Sequence, residues 1–331
     1  MEKISNCKVC LTPSTRPRVK FKNNFICNAC EYQKLKKEIN WSERKEELKE
    51  ICKKYKSKDG SYDCIVPWSG GKDSSSVAYK LKNEFKLNPL LVTFSPLIPS
   101  RIGIKNRENF LNYGFDNIFF RPNQKVSRVL SKRFFIERGN PKVHWDAGIN
   151  SLPLMIACEK NIKLVFYAEH GESEYGGRVL NQDSDKIRNF EEVLENQIGD
   201  DPKNWEQEDI NKKDLIPYIY PEQNILNKKK IKVFYFSYFQ KWDIYENYKY
   251  MKTNTNFAEN DERISGTFQN YDSLDDLIDP LYYYMQYIKF GFGRALRDAS
   301  RLIRNGHLDR EKGLKYVKEY DGEFPEKNFQ E

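Results

Sequence analysis

The sequence predicts an α/β fold in which a doubly wound parallel sheet lies between a cysteine-rich N-terminal module and a mainly helical C-terminal region. Three observations indicate this fold. Short, continuously apolar runs alternate with helix-like runs between residues 61 and 180, as in parallel sheets covered on both faces. Two C-x-x-C pairs precede these runs. Long segments with helical periodicity follow residue 276.

The predicted elements follow one another in the order that such a sheet requires. Strands are predicted at Tyr62–Pro67, Leu90–Phe94, Asn117–Phe120 and Lys163–Ala168. The helices between them are predicted at Ser75–Phe85, Lys105–Tyr113, 126–138 and Asn150–Lys160. Farther along, Ile231–Phe239 predicts an aromatic strand, and 276–304 predicts a long helix with a break around Gly291. The Asn305-Gly306 pair is typical of a helix C-terminus.

Composition bears on location and partners. No run approaches 18 apolar residues, and MEKISNCKVC contains no apolar core of a signal peptide. We therefore expect a cytoplasmic protein without membrane contact. The net charge of +8 is spread along the 331 residues, which is typical of a solvated basic surface. It is also compatible with anionic small substrates, and we do not expect nucleic acid as a partner.

The cysteine pairs predict a metal site. Sixteen residues separate Cys7-x2-Cys10 from Cys27-x2-Cys30, a spacing typical of a zinc-knuckle module. We expect these four thiolates to hold one Zn²⁺. A site closed by four protein ligands leaves no open position, so the zinc is expected to be structural. It could fasten the module to the rest of the chain or present a surface to a partner.

A glycine-rich hexapeptide between the first strand and its helix predicts a phosphate site. It reads Ser69-Gly70-Gly71-Lys72-Asp73-Ser74. It is not a Walker A loop, because Val66 stands where that motif has its first glycine. Backbone N–H groups at a helix N-terminus, next to a lysine, still favour an anion.

The hexapeptide resembles the pyrophosphate loop of the N-type ATP pyrophosphatases, which include GMP, asparagine and argininosuccinate synthetases and tRNA thiolation enzymes. The resemblance implies an adenine nucleotide alpha hydrolase-like sheet and cleavage of ATP between its α and β phosphates. Ser69, Gly70, Gly71 and Ser74 would then bind the leaving pyrophosphate. Lys72 would neutralise its charge, and Asp73 would hold Mg²⁺. By analogy, the backbone of Val92, Thr93 and Phe94 would read the adenine edge.

The second half of the site is expected at strand ends, where ligands bind in open α/β sheets. In a tRNA thiolase with zinc knuckles, we would expect another cysteine pair at the place that corresponds to residues 141–148 of this chain. Here that place has His144 and Asp146 instead. After the fourth strand, AEHGESE offers Glu169 and Glu172 as candidate acids. His144 and His170 are candidate bases, and a structural role is the alternative for each histidine. Because residues 141–148 contain no cysteine pair, a sulfur-transfer function is disfavoured.

Several segments together resemble the N-acetyl sugar amidotransferases. These are the knuckle pair, DCIVPWSGGKDS, HWDAGI, YAEHGE, and FGFGR followed by RNGHLDRE at 290–311. The family makes acetamidino sugars for pseudaminic or legionaminic acid and lipopolysaccharide pathways, including flagellin glycosylation. The resemblance implies adenylation of an N-acetyl carbonyl and its amination to an amidine, with release of AMP and pyrophosphate. The alternatives are a tRNA-modifying adenylating enzyme and a non-catalytic zinc-ribbon binding protein.

The patterns along the chain divide it into a zinc module (1–33), a helical connector (34–60), a domain at 61–180 that the resemblance identifies as an ATP pyrophosphatase domain, and a C-terminal substrate or interaction region (181–331). Glu2 follows Met1, so no N-terminal cysteine is available for glutamine hydrolysis. We therefore expect a separate glutaminase subunit or free ammonia.

The C-terminal region supplies candidate contacts to the N-acetylated sugar. Arg294 and Arg297 begin a row of arginines at helical spacing, and Trp242 follows the aromatic strand. The row could instead be a solvated basic stripe, or a surface for a tRNA backbone or a partner subunit. The tyrosines at 282–287 are compatible with a homodimer.

Overall fold

The computed structural model describes residues 4–22, 24–178 and 185–330. Five parallel strands form one sheet in the order β3-β2-β1-β4-β5, and helices cover both of its faces. The predicted α/β class with a doubly wound parallel sheet is confirmed. Among the described helices, none is both long and apolar enough to cross a bilayer.

The first half of the chain contains most of the sheet. In order, its elements are α1 (Asn28–Leu35), α2 (Trp41–Tyr55), β1 (Cys64–Pro67), α3 (Lys72–Asn83), β2 (Pro89–Phe94), α4 (Arg101–Leu111), β3 (Asp116–Phe120), α5 (Gln124–Arg138), α6 (Val143–Lys160), β4 (Leu164–Tyr167) and α7 (Gly171–Tyr175).

The second half adds one strand and the C-terminal helices. These are α8 (Phe190–Val193), α9 (Lys212–Leu215), α10 (Gln223–Lys228), β5 (Lys232–Tyr235), α11 (Ile244–Asn254), α12 (Asp279–Phe290), α13 (Arg294–Asn305), α14 (Arg310–Tyr320) and α15 (Glu326–Phe329). A π turn at Leu194–Ile198 and three short 3₁₀ turns at Pro202–Asn204, Ile216–Tyr218 and Phe236–Tyr238 lie between them.

The strand order places a topological switch point next to β1. The chain moves outward from β1 through β2 to β3 and then crosses back to β4 on the other side of β1. Ile65 of β1 is therefore in register with Leu90 of β2 and with Val165 of β4. Ligands of open α/β sheets bind beyond the carboxyl ends of the strands at such a point.

Two apolar layers cover the sheet because successive strand residues point to opposite faces. Ile65 packs in one layer with residues of α5 and α6, whereas Cys64 and Val66 pack in the other with residues of α2, α3 and α11. Gly148 lets α6 approach the sheet closely. A Cβ atom there would lie 2.4 Å from the ring of Phe94.

The structure corrects three predicted boundaries. The helix predicted at Asn150–Lys160 begins at Val143, so the HWDAGI segment forms its first turns and is not a loop. The strand predicted at Ile231–Phe239 ends at Tyr235, where a 3₁₀ turn replaces it. The C-terminal helical stretch predicted from 276 begins at Asp279, whereas its predicted break is confirmed, because Gly291 ends α12 in a left-handed conformation before α13 begins.

The N-terminal module packs against the loop that follows β4. Arg18 forms a bidentate ion pair with Glu172 at 2.9 and 3.0 Å. The side-chain amide of Asn28 donates to the carbonyl of Gly177 at 2.7 Å. A buried Lys36 at the end of α1 donates to both oxygens of Glu174. The module is therefore attached to residues 172–177 by charged and polar contacts.

Candidate active site

The turn between β1 and α3 places the glycines of the hexapeptide at a helix N-terminus. Gly70 has a φ of +95°, a conformation that L side chains rarely adopt, and a Cβ there would lie 2.4 Å from Arg107. Gly71 precedes the first residue of α3, Lys72, so the free N–H groups of this helix begin within the hexapeptide. The backbone at this turn therefore requires glycine and presents a positive helix end.

Lys72 is buried in a network of charges. Its ammonium donates to Asp73 at 2.7 Å and to Asp272 at 2.5 Å. Burial alone would lower the pKa of Lys72, but the two carboxylates outweigh it and the pKa is raised. Arg297 of α13 donates to the other oxygen of Asp272 at 2.8 Å. The side-chain amide of Asn247 donates to Asp73 at 3.0 Å, which fixes the aspartate that was predicted to hold Mg²⁺.

Two adjoining cavities lie at this end of the sheet, and Lys72 lines the first of them. The first, here called the phosphate cavity, is lined by the predicted loop and by the 257–275 segment, including Asp272 and Asp275. The second, here called the nucleoside cavity, is lined mainly by apolar groups and measures about 290 Å³. Ser69, Ser74 and Ala168 line both. The two cavities together meet the carboxyl ends of β1, β2 and β4.

The predicted adenine contacts lie only partly in the nucleoside cavity. Val92 and Phe94 line it, and Trp68, Pro153 and Arg188 lie on its other walls. Thr93 points away, because its side chain is fully buried and its hydroxyl accepts from Asn117 at 3.0 Å. The carbonyl of Val92 already accepts a hydrogen bond from the N–H of Trp68.

Glu169 faces the nucleoside cavity from the end of β4. The hydroxyl of Tyr175 donates to its carboxylate at 3.0 Å. Burial, followed by the charge of Asp73, raises the pKa of Glu169 to about 7. A carboxyl with this pKa can either donate or accept a proton near neutral pH.

The raised pKa of Glu169 makes a prediction about pH. The folded protein holds the proton up to about pH 7, whereas the unfolded chain releases it near 4.5, so folding stability falls as pH rises between these values. Glu169→Gln should remove this loss. We compare the free energy of unfolding of the variant with that of wild type at each pH. From pH 5 to pH 8, this difference should shift in favour of the variant by on the order of 2 kcal/mol.

Denaturant unfolding at both pH values measures this difference. Glu206→Gln is the matched control, because it makes the same change at an exposed position. A difference between Glu169→Gln and wild type that stays constant with pH would contradict the raised pKa.

A third, more polar cavity adjoins the nucleoside cavity. It is lined by Asp146 of α6, by Arg16 and Arg18 of the module, and by Tyr282 and Lys289 of α12. Gln197 lines both this polar cavity and the nucleoside cavity, so the two are neighbours. Burial raises the pKa of Asp146 to about 7. Two predicted carboxyls, Asp146 and Glu169, therefore lie on adjoining cavities.

Neither candidate histidine lines any of these three cavities. His144 is fully buried, and its Nε2 is hydrogen-bonded to Ser127. Burial lowers the pKa of His144 to about 3, so it is neutral at physiological pH. His170 is also buried, and its two ring nitrogens contact Ser173 at 2.7 Å and Glu192 at 3.0 Å.

Two other predicted site residues also lie away from the three cavities. Glu172 is taken up by its ion pair with Arg18. Trp242 is 3% exposed and packs in the apolar layer beside α11, so it is a core residue in this structure.

The arginine row of α13 faces inward. Arg294 is buried, lies over the ring of Tyr283 and donates to the backbone carbonyl of Asp272. Arg297 holds the Asp272 carboxylate and also donates to Asp298. Both arginines therefore act on Lys72 through Asp272. A solvated stripe, the alternative considered from the sequence, does not describe these two side chains.

The four cysteines converge at one point. Their sulfur atoms all lie within 4.8 Å of one another, with Cys10 to Cys27 at 3.5 Å and Cys7 to Cys30 at 3.7 Å. A tetrahedral ion with metal–sulfur bonds of about 2.3 Å needs sulfur atoms roughly 3.8 Å apart. The cluster therefore fits a single metal ion. Thr12 and Arg304 also lie against Cys10, at 3.1 and 3.4 Å.

Three residues of the site were missed in the sequence. Asp272 and Asn247 contact the loop from about 200 and 170 residues away, and Tyr175 supports Glu169. The YDSLDD run at 271–276 is acidic, but it lies in an irregular segment with no periodic signal. Its relation to Lys72 depends on tertiary packing.

Comparisons with known proteins give one domain match and two likenesses. Residues 265–331 match the family described as LPS biosynthesis protein WbpG-like, C-terminal domain. An uncharacterized protein of Methanocaldococcus jannaschii, MJ1599, is 36% identical over 104 residues, which are 31% of this chain and 37% of that protein. A structure of the U34-tRNA thiolase NcsA from Methanococcus maripaludis with its 4Fe-4S cluster aligns with 97% of this chain and 88% of its own, at 13% identity and a TM-score of 0.37.

Proposed function

We propose that the protein is an ATP-dependent amidotransferase, which converts the N-acetyl group of a sugar into an acetamidino group and releases AMP and pyrophosphate. The observation that carries this proposal is the pair of adjoining cavities, with Lys72 in the phosphate cavity, the nucleoside cavity next to it, and the polar cavity beside them. The match at 265–331 supports a role in sugar chemistry. That segment also contributes Asp272 and Arg297 to the lysine network.

In the proposed reaction, the acetamido carbonyl oxygen attacks the α-phosphate of ATP and pyrophosphate leaves. Ammonia then adds to the activated carbon, loses a proton, and expels AMP to give the amidine. The oxygen of the former carbonyl leaves with AMP, and nitrogen takes its place.

The residues have distinct tasks in this scheme. Lys72 stabilises the charge that develops on the leaving pyrophosphate, together with the N–H groups at the start of α3. Asp73 is oriented by Asn247 to hold Mg²⁺. Glu169, with its pKa near 7, accepts the proton from the attacking ammonia. Asp146 would bind the sugar from the polar cavity.

We further propose that the cysteine cluster holds a structural Zn²⁺. Four thiolates at near-tetrahedral spacing leave no position for a substrate. A cubane of iron and sulfur is larger than one ion and would need the cysteine sulfurs farther apart. The ammonia would come from a separate glutaminase subunit or from solution.

The direct test supplies the protein with ATP, Mg²⁺, an ammonium salt and a panel of N-acetyl sugars. Pyrophosphate release is followed together with product mass. We expect sugar-dependent pyrophosphate and a product about one mass unit lighter, since NH replaces oxygen. Pyrophosphate release that requires tRNA and ignores every sugar would favour a tRNA-modifying enzyme. No release with either would favour a binding protein.

A further inference from the structure

The contact between the N-terminal module and α13 contains a cluster of arginines, two of which have no carboxylate partner among the described residues. Arg16 of the module and Arg297, Arg301 and Arg304 of α13 line one small cavity. Arg297 is paired with Asp272 and Asp298, and Arg304 donates to Cys10. Within the part of the chain that the structure describes, neither Arg16 nor Arg301 has a carboxylate oxygen within 4.0 Å of its guanidinium nitrogens.

Two hydrogen-bond donors at this cavity also lack an acceptor among the described residues. Ser300 is 3% exposed, its hydroxyl is buried, and no described acceptor lies within hydrogen-bond distance of it. The same holds for the Nε of Arg301, whose guanidinium lies 3.7 Å from the ring centre of Tyr175. Burial, followed by the charges of Arg301 and Arg304, lowers the pKa of Arg16 to about 10. Like charges this close favour an anion between them.

The size of the cavity limits what that anion can be. It is about 10 Å³, which is room for roughly one oxygen-sized group. One oxygen of a carboxylate fits this space and leaves one oxygen outside it, whereas a phosphate would leave three outside. Arg16 and Phe292 line both this cavity and the polar cavity, so the two cavities are neighbours.

We propose that Arg16, Ser300 and Arg301 form a binding site for a carboxylate, at the junction of the metal module and α13. Arg16 and Arg301 supply charge-assisted hydrogen bonds, and Ser300 donates its hydroxyl. Tyr175 separates this site from the nucleoside cavity, because its ring carries Arg301 on one side and its hydroxyl holds Glu169. A sugar acid bound in the polar cavity would thus be held by its carboxylate, close to its reacting N-acetyl carbonyl. This last step rests on the proposed function.

Formate is the probe for the site itself, and no nucleotide is needed. Thermal unfolding of the full metal-loaded chain is measured in increasing formate, with ionic strength held constant by methanesulfonate. We expect the melting temperature to rise by about 2–4 °C at formate well above its dissociation constant. Phosphate at the same ionic strength should give a smaller rise.

Two variants localise the effect. Arg16→Gln should weaken formate binding at least about tenfold, and Ser300→Ala should weaken it by a smaller factor while leaving the charge unchanged. Arg128→Gln, at an exposed position on α5, makes the same charge change and should leave formate binding intact. Metal content is measured for each variant, so that a damaged module is recognised. Equal formate response in wild type, Arg16→Gln and Ser300→Ala would overturn the proposal, since the cavity would then hold water only.

A second measurement separates this site from the proposed reaction. KM is compared for an acidic N-acetyl sugar and its neutral methyl ester, in wild type and Arg16→Gln. We expect the substitution to raise KM for the acid at least about tenfold and to leave that of the ester nearly unchanged. Formate binding that depends on Arg16, in a protein that turns over no sugar, would keep the site and reject the proposed function. A KM that rises equally for acid and ester would reject the assignment of the site to the acceptor.

Discussion

Lys72→Ala should reduce substrate-dependent pyrophosphate release at least about 100-fold. The ammonium at this position is held in the phosphate cavity by both Asp73 and Asp272, at the start of α3. Removing a group that stabilises charge only in the transition state costs about two to three orders of magnitude in rate. The loss should appear mainly in kcat, measured by coupled detection of pyrophosphate.

The same substitution leaves two partly buried carboxylates, Asp73 and Asp272, without their lysine, so folding must be checked. Metal content and the far-ultraviolet circular dichroism spectrum should match those of wild type, because the cysteine cluster is not in contact with Lys72. Lys53→Ala, at an exposed position on α2, is the control for loss of one lysine and should keep full turnover. Retention of turnover in well-folded Lys72→Ala would remove the loop from the chemistry.

Cys27→Ser should abolish stoichiometric metal binding and lower both the melting temperature and the turnover. A four-thiolate site loses its closed ligand set when one sulfur is replaced, and structural zinc contributes about 10–16 kcal/mol in isolated zinc-binding peptides. The module is tied to the segment after β4 through Arg18–Glu172, Asn28–Gly177 and Lys36–Glu174. Loss of the module's fold should therefore displace Glu169 and Tyr175.

The matched control is Cys158→Ser, which makes the same chemical change on α6, outside the cluster. We expect it to keep its metal and most of its turnover. Metal content is measured by elemental analysis, and turnover by sugar-dependent pyrophosphate release. Full turnover in metal-free Cys27→Ser would show that the module does not position the catalytic groups.

The arginines of α13 contact both the network around Lys72 and the cysteine cluster. Three arginines of α13 make these contacts. Arg297 donates to Asp272, which in turn holds Lys72. Arg301 lies over the ring of Tyr175, and Arg304 donates to Cys10. The helix thus connects the phosphate cavity to the metal cluster. A substitution in this row is expected to affect nucleotide chemistry and module docking together, and their effects need not be additive.

Much of the fold was predictable because its signals are local. Strand β2 and helix α5 were predicted within two residues at each end, since their apolar patterns match the periods of the elements they form. The start of α6 was missed, because HWDAGI carries few apolar residues on a repeating face. The break before α13 was visible in Gly291, whose left-handed conformation ends α12.

The candidate site was predictable only in part. Residues of the hexapeptide line the phosphate cavity, and Glu169 and Asp146 lie on the adjoining cavities. His144 and His170 were chosen because histidines are few and fell near expected strand ends. Their side chains point into hydrogen-bonded interior positions, beside Ser127 and Glu192. Spacing along the chain does not give the direction of a side chain at an irregular end.

By itself, the sequence determined the sheet class, the glycine loop and the four-cysteine spacing, because each is read from short motifs or from the periodicity of single elements. Only the tertiary structure decided that Asp272 and Arg297 hold Lys72, and that the arginine row points inward. Contacts between segments 25 to 200 residues apart depend on how whole elements pack. No local pattern of the sequence encodes that packing.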